Sequence, residues 1–477
     1  MFPTQPLDPL MRLSRTLCAA LAAAVMAAPC LARDQRDEFI RVAPDGWHFE
    51  TSKTRKPFVP FGGVYFDPAT YVEKPFPRFL VIGQFEEKRT DRHFAQIAGI
   101  GANLVRISTS VKTFSPEYRQ IDREAFRKLD RIIALARKHG LRVTLDPFGG
   151  WEGLPDWIPW MPAAIVDEKM IAGLEFLFSE FGQRYRNEPT VFSYLIADEP
   201  TFVWTFHGMP AAFGDYARTL YGDEENLKRH WNDYPRRGER WDRIVAPRDV
   251  IGPPSRRMYD YQRFREDVTT RFAERIARAI RSKDENHMVS LGNIQWIAPL
   301  RYVVDAAPFN DLVKPSGYFP FNPQKIGRLL DYLHINAYNW WDGKEAEFTQ
   351  AMGRYSYFRG KPVILGEFSF DPKVVEYTRG SFSGYSAWAF FAQPNEPMGH
   401  YLFDVQGNIT AHGKAFAETA ARIARGEIVL NRVEDAVTID ADAVAALSDL
   451  RTTMGIYTRY MQACQEDKPV GLKLVKP

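Results

Sequence analysis

Two acidic sites stand where buried strands stop. In residues 192–200, FSYLIADEP, an apolar run breaks at Asp198, Glu199 and Pro200. Proline has no amide hydrogen with which to continue a ladder, so both acids should lie at the strand's carboxyl end. In residues 362–369, PVILGEFS, a β-branched and leucine run ends the same way, at Gly366 and Glu367. An acid so placed either caps a following helix or is presented at the mouth of a parallel barrel. If both strands belong to one barrel, Glu199 and Glu367 open onto the same face. Such a pair suits glycoside cleavage, one carboxyl protonating the leaving oxygen while the other attacks the anomeric carbon. Retention of configuration needs the two about 5 Å apart.

The elements that must position these acids can be traced along the chain. Strand-like apolar runs occur at 58–65, 103–107, 141–145, 192–196, 288–292, 332–337, 362–366 and 385–390. Helical spacing fills 85–99, 123–139, 164–185, 259–282 and 411–425, and the second of these stops at Gly140. Eight buried strands alternating with helices predict an α/β protein built as a single (β/α)8 TIM barrel. A typical barrel takes about 250 residues, so the surplus belongs to loops and ends. The expected division is a signal peptide at 1–32, a catalytic barrel at 33–427 with an insertion at 201–257, and a C-terminal extension at 428–477 packed on the barrel. Residues 39–66 read as a short amphipathic lead-in whose final part, 58–65, is the first strand, and 444–464 as a helix in the extension.

Composition narrows the function further. The 477 residues are 45% hydrophobic and 25% charged, enough for a large core. With 62 basic against 59 acidic side chains the net charge is +3, which sets up no broad field for nucleic acid or an anionic membrane. A neutral substrate fits that balance. Arg12 and Arg15, the apolar run 17–26 and Cys30-Leu31-Ala32 form an export-signal pattern, implying a periplasmic or extracellular protein with no membrane span after cleavage. Cleavage after Ala32 leaves Cys464 alone, so no disulfide is expected. No Cys/His cluster, glycine-rich phosphate loop or HExxH pattern occurs, so neither a catalytic metal nor a nucleotide cofactor is predicted.

With Glu199 and Glu367 at the ends of the fourth and seventh strands, the sequence resembles the clan A glycoside hydrolases, retaining enzymes on this barrel. The resemblance runs from Phe58 to about Arg425 and includes Arg106, Tyr338 and Trp388. It implies Glu199 as acid/base, Glu367 as nucleophile, Tyr338 as the hydroxyl holding the nucleophile, and Trp388 as a platform under the sugar. Arg106 and Tyr338 would favour an ionised Glu367, while the neighbouring charge and an apolar wall would keep Glu199 protonated. The clan usually has Asn before the acid/base; here Asp198 can accept a proton from the sugar's 2-hydroxyl but cannot donate while ionised. His334 is either a hydroxyl contact or a satisfied core histidine.

Within the clan, strands 1 to 3 and the strand 7 motif look like family 5 mannanases and cellulases. LYGDEENLKRHWNDY and the segments after it look like the insertion of family 42 β-galactosidases. The expectation is an exo-acting, β-galactosidase-like enzyme. The alternatives are an endo-acting mannanase or glucanase, or a catalytically silent carbohydrate-binding barrel. Trp151, Trp157, Trp160, Trp204, Phe206, Trp340 and Trp341 lie in loops after strands 3, 4 and 6, where rings could stack on sugar faces. The runs 236–240 and 256–257 read as solvated faces or subunit contacts, making the insertion a candidate homo-oligomer surface.

Overall fold

The computed structural model describes residues 37–70, 82–148, 154–158, 165–200, 209–231, 233–246, 256–294, 323–338, 345–357, 360–393, 400–433, 437–440 and 472–475. Three very short strands come first. β1 (Ile40–Val42), β2 (Phe49–Thr51) and β3 (Pro57–Phe58) pair antiparallel in that order. The chain then enters β4 (Phe61–Tyr65), and the run expected at 58–65 is thereby divided at Val59 and Pro60.

β4 is followed by β5 (Leu104–Ser108), β6 (Arg142–Asp146), β7 (Val191–Asp198) and β8 (Met288–Ile294). β9 (Leu333–Asn336), β10 (Val363–Glu367) and β11 (Gly384–Ala387) complete a closed, all-parallel barrel in sequential order. The expected (β/α)8 architecture is what forms. Every residue of β7 is buried, because a barrel strand faces packed side chains inside and helices outside; this is why such runs show no polar alternation.

The helices that cross back are α1 (Glu87–Gly99), the short α2 (Val111–Phe114), α3 (Arg123–Lys138) and α4 (Glu168–Tyr185). They are followed by α5 (Met209–Tyr221), α6 (Glu224–His230), α7 (Arg256–Arg281) and α8 (Pro323–Ile326). The set ends with α9 (Glu345–Ser356), α10 (Pro372–Thr378) and α11 (Ala411–Ala424). Acids start several of them. Asp122, Asp167 and Asp223 each accept a backbone N–H from the first turn of α3, α4 and α6, which satisfies an otherwise orphaned donor.

The small sheet closes the barrel's amino-terminal end. Ile40 and Phe49 pack with Leu104, Phe192, Met288, Tyr332 and Ile364, residues from the starts of five barrel strands. The Phe49 ring lies 5.4 Å from that of Phe192 and 5.9 Å from that of Tyr332, both edge-on. The lead-in is thus a hydrophobic plug, and chemistry is confined to the opposite end.

The insertion folds around a buried cation. Arg257, expected on a solvated face, has no exposed side-chain surface and is forked by Glu239 and reached by Asp233. Arg236 and Arg240 do lie near the surface, paired with Asp233 and Asp242. After the barrel, β12 (Val437–Asp440) and β13 (Leu472–Val475) pair in parallel; the helix expected at 444–464 and the signal peptide lie outside the described residues. Among the described residues no helix is long and apolar enough to cross a membrane.

Candidate active site

The exits of β5, β6, β7, β9 and β10 bring one group of polar side chains together. Glu199 follows directly on β7 with a φ of 43°, a left-handed conformation that non-glycine residues seldom adopt. Its backbone N–H donates to the Gly292 carbonyl at 2.8 Å, anchoring the turn to β8. Strain of this kind costs about 1–3 kcal/mol and persists where the surroundings impose a functional geometry. The next described helix, α5, begins at Met209.

Arg106 organises the acids. Its Nη1 donates to Asp198 Oδ1 at 3.0 Å, and its Nη2 donates to Glu367 Oε1. The Tyr338 hydroxyl donates to the other Glu367 oxygen at 2.7 Å. A guanidinium and a phenol hydroxyl both favour the carboxylate form over the acid at this position. Glu199 has a different neighbour: Asn336 Nδ2 donates to its Oε1 at 3.0 Å and to Asp198 Oδ1 at 3.1 Å. Arg106 and Asn336 both bond Asp198, so one continuous network runs from Glu367 through Arg106, Asp198 and Asn336 to Glu199.

His334 fixes the amide's orientation. Its Nε2 lies 3.1 Å from Asn336 Oδ1. Burial, followed by the charge of Arg106, keeps the imidazole well below its usual pKa and therefore neutral. Because Asn336 Nδ2 is committed to two carboxyl groups, its Oδ1 must accept, which makes His334 Nε2 a donor. The 3.4 Å approach of Arg106 Nη1 to that same nitrogen is then donor against donor, a packing contact. Of the two readings of His334, the structure supports the buried one.

Two glycines make the room. A Cβ at Gly366 would stand 1.6 Å from His334 Nε2, and one at Gly292 would stand 2.2 Å from Asp198 Oδ1. Any side chain at either position would displace the network.

Asp146, at the end of β6, was missed in the sequence although it obeys the same rule as Glu367, an acid ending a buried run. Ser108 Oγ donates to its Oδ2 at 2.9 Å. Burial and then the charge of Asp198 push its carboxyl up to about 7, against the pull of Arg106. Asn336 was also missed, because an asparagine inside a strand leaves no pattern to read. Trp388 is nearly buried, 5.4 Å from the Phe66 ring and packed with Tyr338; its peptide bond to Ala389 is cis. Trp157, grouped with the mouth aromatics, instead packs against Gly173 of α4 and donates its indole N–H to the Ser115 carbonyl at 2.9 Å. Trp151, Trp204 and Trp340 lie outside the described residues, as do Trp160, Phe206 and Trp341. Among the described residues no three His, Cys, Asp or Glu side chains converge as a metal centre requires.

Known proteins share this architecture. A GH5_18 protein variant from Bifidobacterium longum subsp. longum, solved in complex with Manβ1-4GlcNAc, superposes with a TM-score of 0.58 at 15% identity, covering 87% of this chain and 90% of that one. A β-galactosidase from Rahnella sp. R3 gives 0.65 at 15% identity, over 87% of this chain and 65% of that one. The "Probable glucan 1,3-beta-glucosidase D" of Aspergillus niger is 29% identical over 147 residues, which are 28% of this chain and only 16% of that protein. The family model Cellulase (glycosyl hydrolase family 5) matches residues 74–374, from ahead of α1 through β10 and into α10. That span holds Arg106, Glu199, Asn336, Tyr338 and Glu367, and the chain belongs to glycosyl hydrolase family 5.

Proposed function

We propose that this glycoside hydrolase cleaves β-linked neutral sugars with retention, using Glu367 as nucleophile and Glu199 as acid/base. The observation carrying the reading is that Glu367 accepts from a cation and a phenol, while Glu199, beside it in the same network, accepts from the Asn336 amide. Unlike environments give two carboxyls unlike tasks. In the first step a Glu367 oxygen bonds to the anomeric carbon as the C1–O bond breaks, and the Glu199 proton passes to the departing oxygen. Asn336 Nδ2 donates to Glu199 Oε1, which orients the carboxyl that carries that proton. In the second step Glu199 removes a proton from water, which attacks C1 and releases the Glu367 carboxylate. Asp198, held as an acceptor by Arg106 and Asn336, is suited to a sugar hydroxyl.

Exo action is the favoured mode. In chain order α5 and α6 are the next described helices after the strand leading to Glu199, and an exo-acting enzyme would use such an insertion to close one end of its cleft. Similarity to the β-galactosidase from Rahnella sp. R3 supports galactosides as the first glycone to test, with mannosides and glucosides beside them. Turnover of nitrophenyl β-glycosides should fall by several orders of magnitude in Glu367→Ala. Glu199→Ala should keep fast attack on dinitrophenyl substrates and be rescued by azide as the β-glycosyl azide. An α-azide product, or Glu367→Ala within a few-fold of the parent, would sink the assignment. Turnover of no sugar at all would favour a binding barrel.

A further inference from the structure

Glu199 is held from two neighbouring strands. Its backbone, at a φ of 43°, is pinned to β8 by the 2.8 Å bond from its N–H to the Gly292 carbonyl. Its side chain is met from β9 by Asn336, whose Nδ2 donates to Oε1 at 3.0 Å. Asn336 is wholly buried, at 0% exposure, and His334 on its other side is 3% exposed. The same Nδ2 donates to Asp198 Oδ1 at 3.1 Å, so one amide spends both its N–H bonds on adjacent carboxyls. Its Oδ1 faces His334 Nε2 at 3.1 Å. The reversed amide would set an oxygen against Asp198 Oδ1, acceptor against acceptor, so the direction of the amide matters and His334 is the group that selects it.

We propose that His334 and Asn336 form a positioning relay for the proton-transfer step: His334 fixes which end of the Asn336 amide faces Glu199, and the amide aims that carboxyl at the leaving oxygen. A glutamate side chain transfers its proton only from a narrow range of positions, and a misplacement of about 1 Å can cost about 100-fold. The backbone bond to Gly292 leaves the side-chain torsions of Glu199 open, whereas a 3.0 Å bond from a wholly buried amide restricts them. Both relay members lie beneath the surface, so they act on the reaction through the carboxyls they hold and not through a sugar. The imidazole is neutral and has a single N–H, committed to Asn336 Oδ1, so the relay passes on direction and no proton. Removing either member leaves a buried polar group of the other unpaired, which frees the amide to turn.

This inference rests on Glu199 being the acid/base. The test uses the glycone turned over fastest in the nitrophenyl panel and measures kcat/KM for two of its β-glycosides. The phenyl glycoside has a leaving oxygen that needs a proton; the dinitrophenyl glycoside has one that does not. In His334→Met and in Asn336→Ala the ratio of dinitrophenyl to phenyl turnover should rise by about tenfold or more over the parent. His334→Gln, which keeps an N–H near the place of Nε2, should hold that ratio within about threefold of the parent. A merely structural loss lowers both substrates together and leaves the ratio alone. That result in either variant, or a ratio in His334→Gln raised as far as in His334→Met, would overturn the proposal. Should His334→Met not fold, Asn336→Ala decides by the same two outcomes. Glu199→Ala sets the upper limit, and its ratio should exceed that of both relay variants. A Glu199→Ala ratio at the parent level would overturn the assignment of Glu199 itself, whereas a raised one beside unchanged relay variants would overturn the relay alone.

Discussion

Arg106 and Arg257 are buried alike, at 2% and 0% exposure, and each is clasped by two acids, yet their surroundings differ in completeness. Arg257 Nε donates to Asp233 at 3.0 Å, its Nη1 and Nη2 fork onto Glu239 at 2.6 and 2.8 Å, and further contacts reach the carbonyls of Val245 and Asp233. Its guanidinium also lies 4.5 Å from the Trp231 ring centroid. Burial works against the charge on Glu239, but Arg257 and the backbone N–H groups of Arg236 and Val245 outweigh it and keep that carboxyl below its usual range. Arg106 has one bond from each terminal nitrogen, and its Nε has no partner. A saturated ion pair locks a loop in place; an incomplete one leaves its acids able to exchange partners with a substrate.

Breaking each arginine should therefore produce opposite phenotypes. Arg257→Ala would strand the Glu239 carboxylate, and stability should fall by about 3–5 kcal/mol in urea unfolding, with kcat/KM per folded molecule within a few-fold. A loss under about 1 kcal/mol would mean the insertion does not depend on that pair. Arg106→Lys keeps the charge but loses the fork that reaches Asp198 and Glu367 together. Here kcat/KM should drop about 10²–10³-fold while the unfolding midpoint moves little. A variant with near-parent activity would show that a point charge suffices.

The smallest effect sharpens the contrast through pH. The Asp146 carboxyl is raised in the folded chain, so between about pH 4 and 7 the folded state holds a proton that the unfolded state releases. The stability this contributes is complete below the unfolded value and is lost as pH rises through the folded one. Asp146→Asn, unable to ionise, should gain on the parent by about 2 kcal/mol between pH 5 and 8, read as a widening gap in melting temperature. A gap that stays constant with pH would show that Asp146 is already charged at pH 5.

Much of the barrel could be read from residues adjacent in the chain. The runs at 141–145 and 288–292 became Arg142–Asp146 and Met288–Ile294, because a strand buried on both faces must be apolar throughout. The plugging sheet was not legible. Strands of two or three residues, such as Pro57–Phe58, are too short to display a period of two and exist through the partners they meet. Arg257 looked solvated because its acids, Asp233 and Glu239, are supplied from elsewhere in the chain. Trp157 looked available for stacking because nothing in its own loop shows the α4 glycine it packs against.

The amino-acid sequence alone determined the order of the strands and which acids close them, since hydrophobic runs are local and a parallel barrel gathers all its strand exits at one end. Only the tertiary structure decided how those acids differ. One guanidinium reaches Asp198 and Glu367, an amide oriented by a neutral histidine reaches Glu199, and Asp146 is left with a hydroxyl and a backbone amide. Charge and protonation depend on distances between strands, and those distances exist only once the barrel has closed.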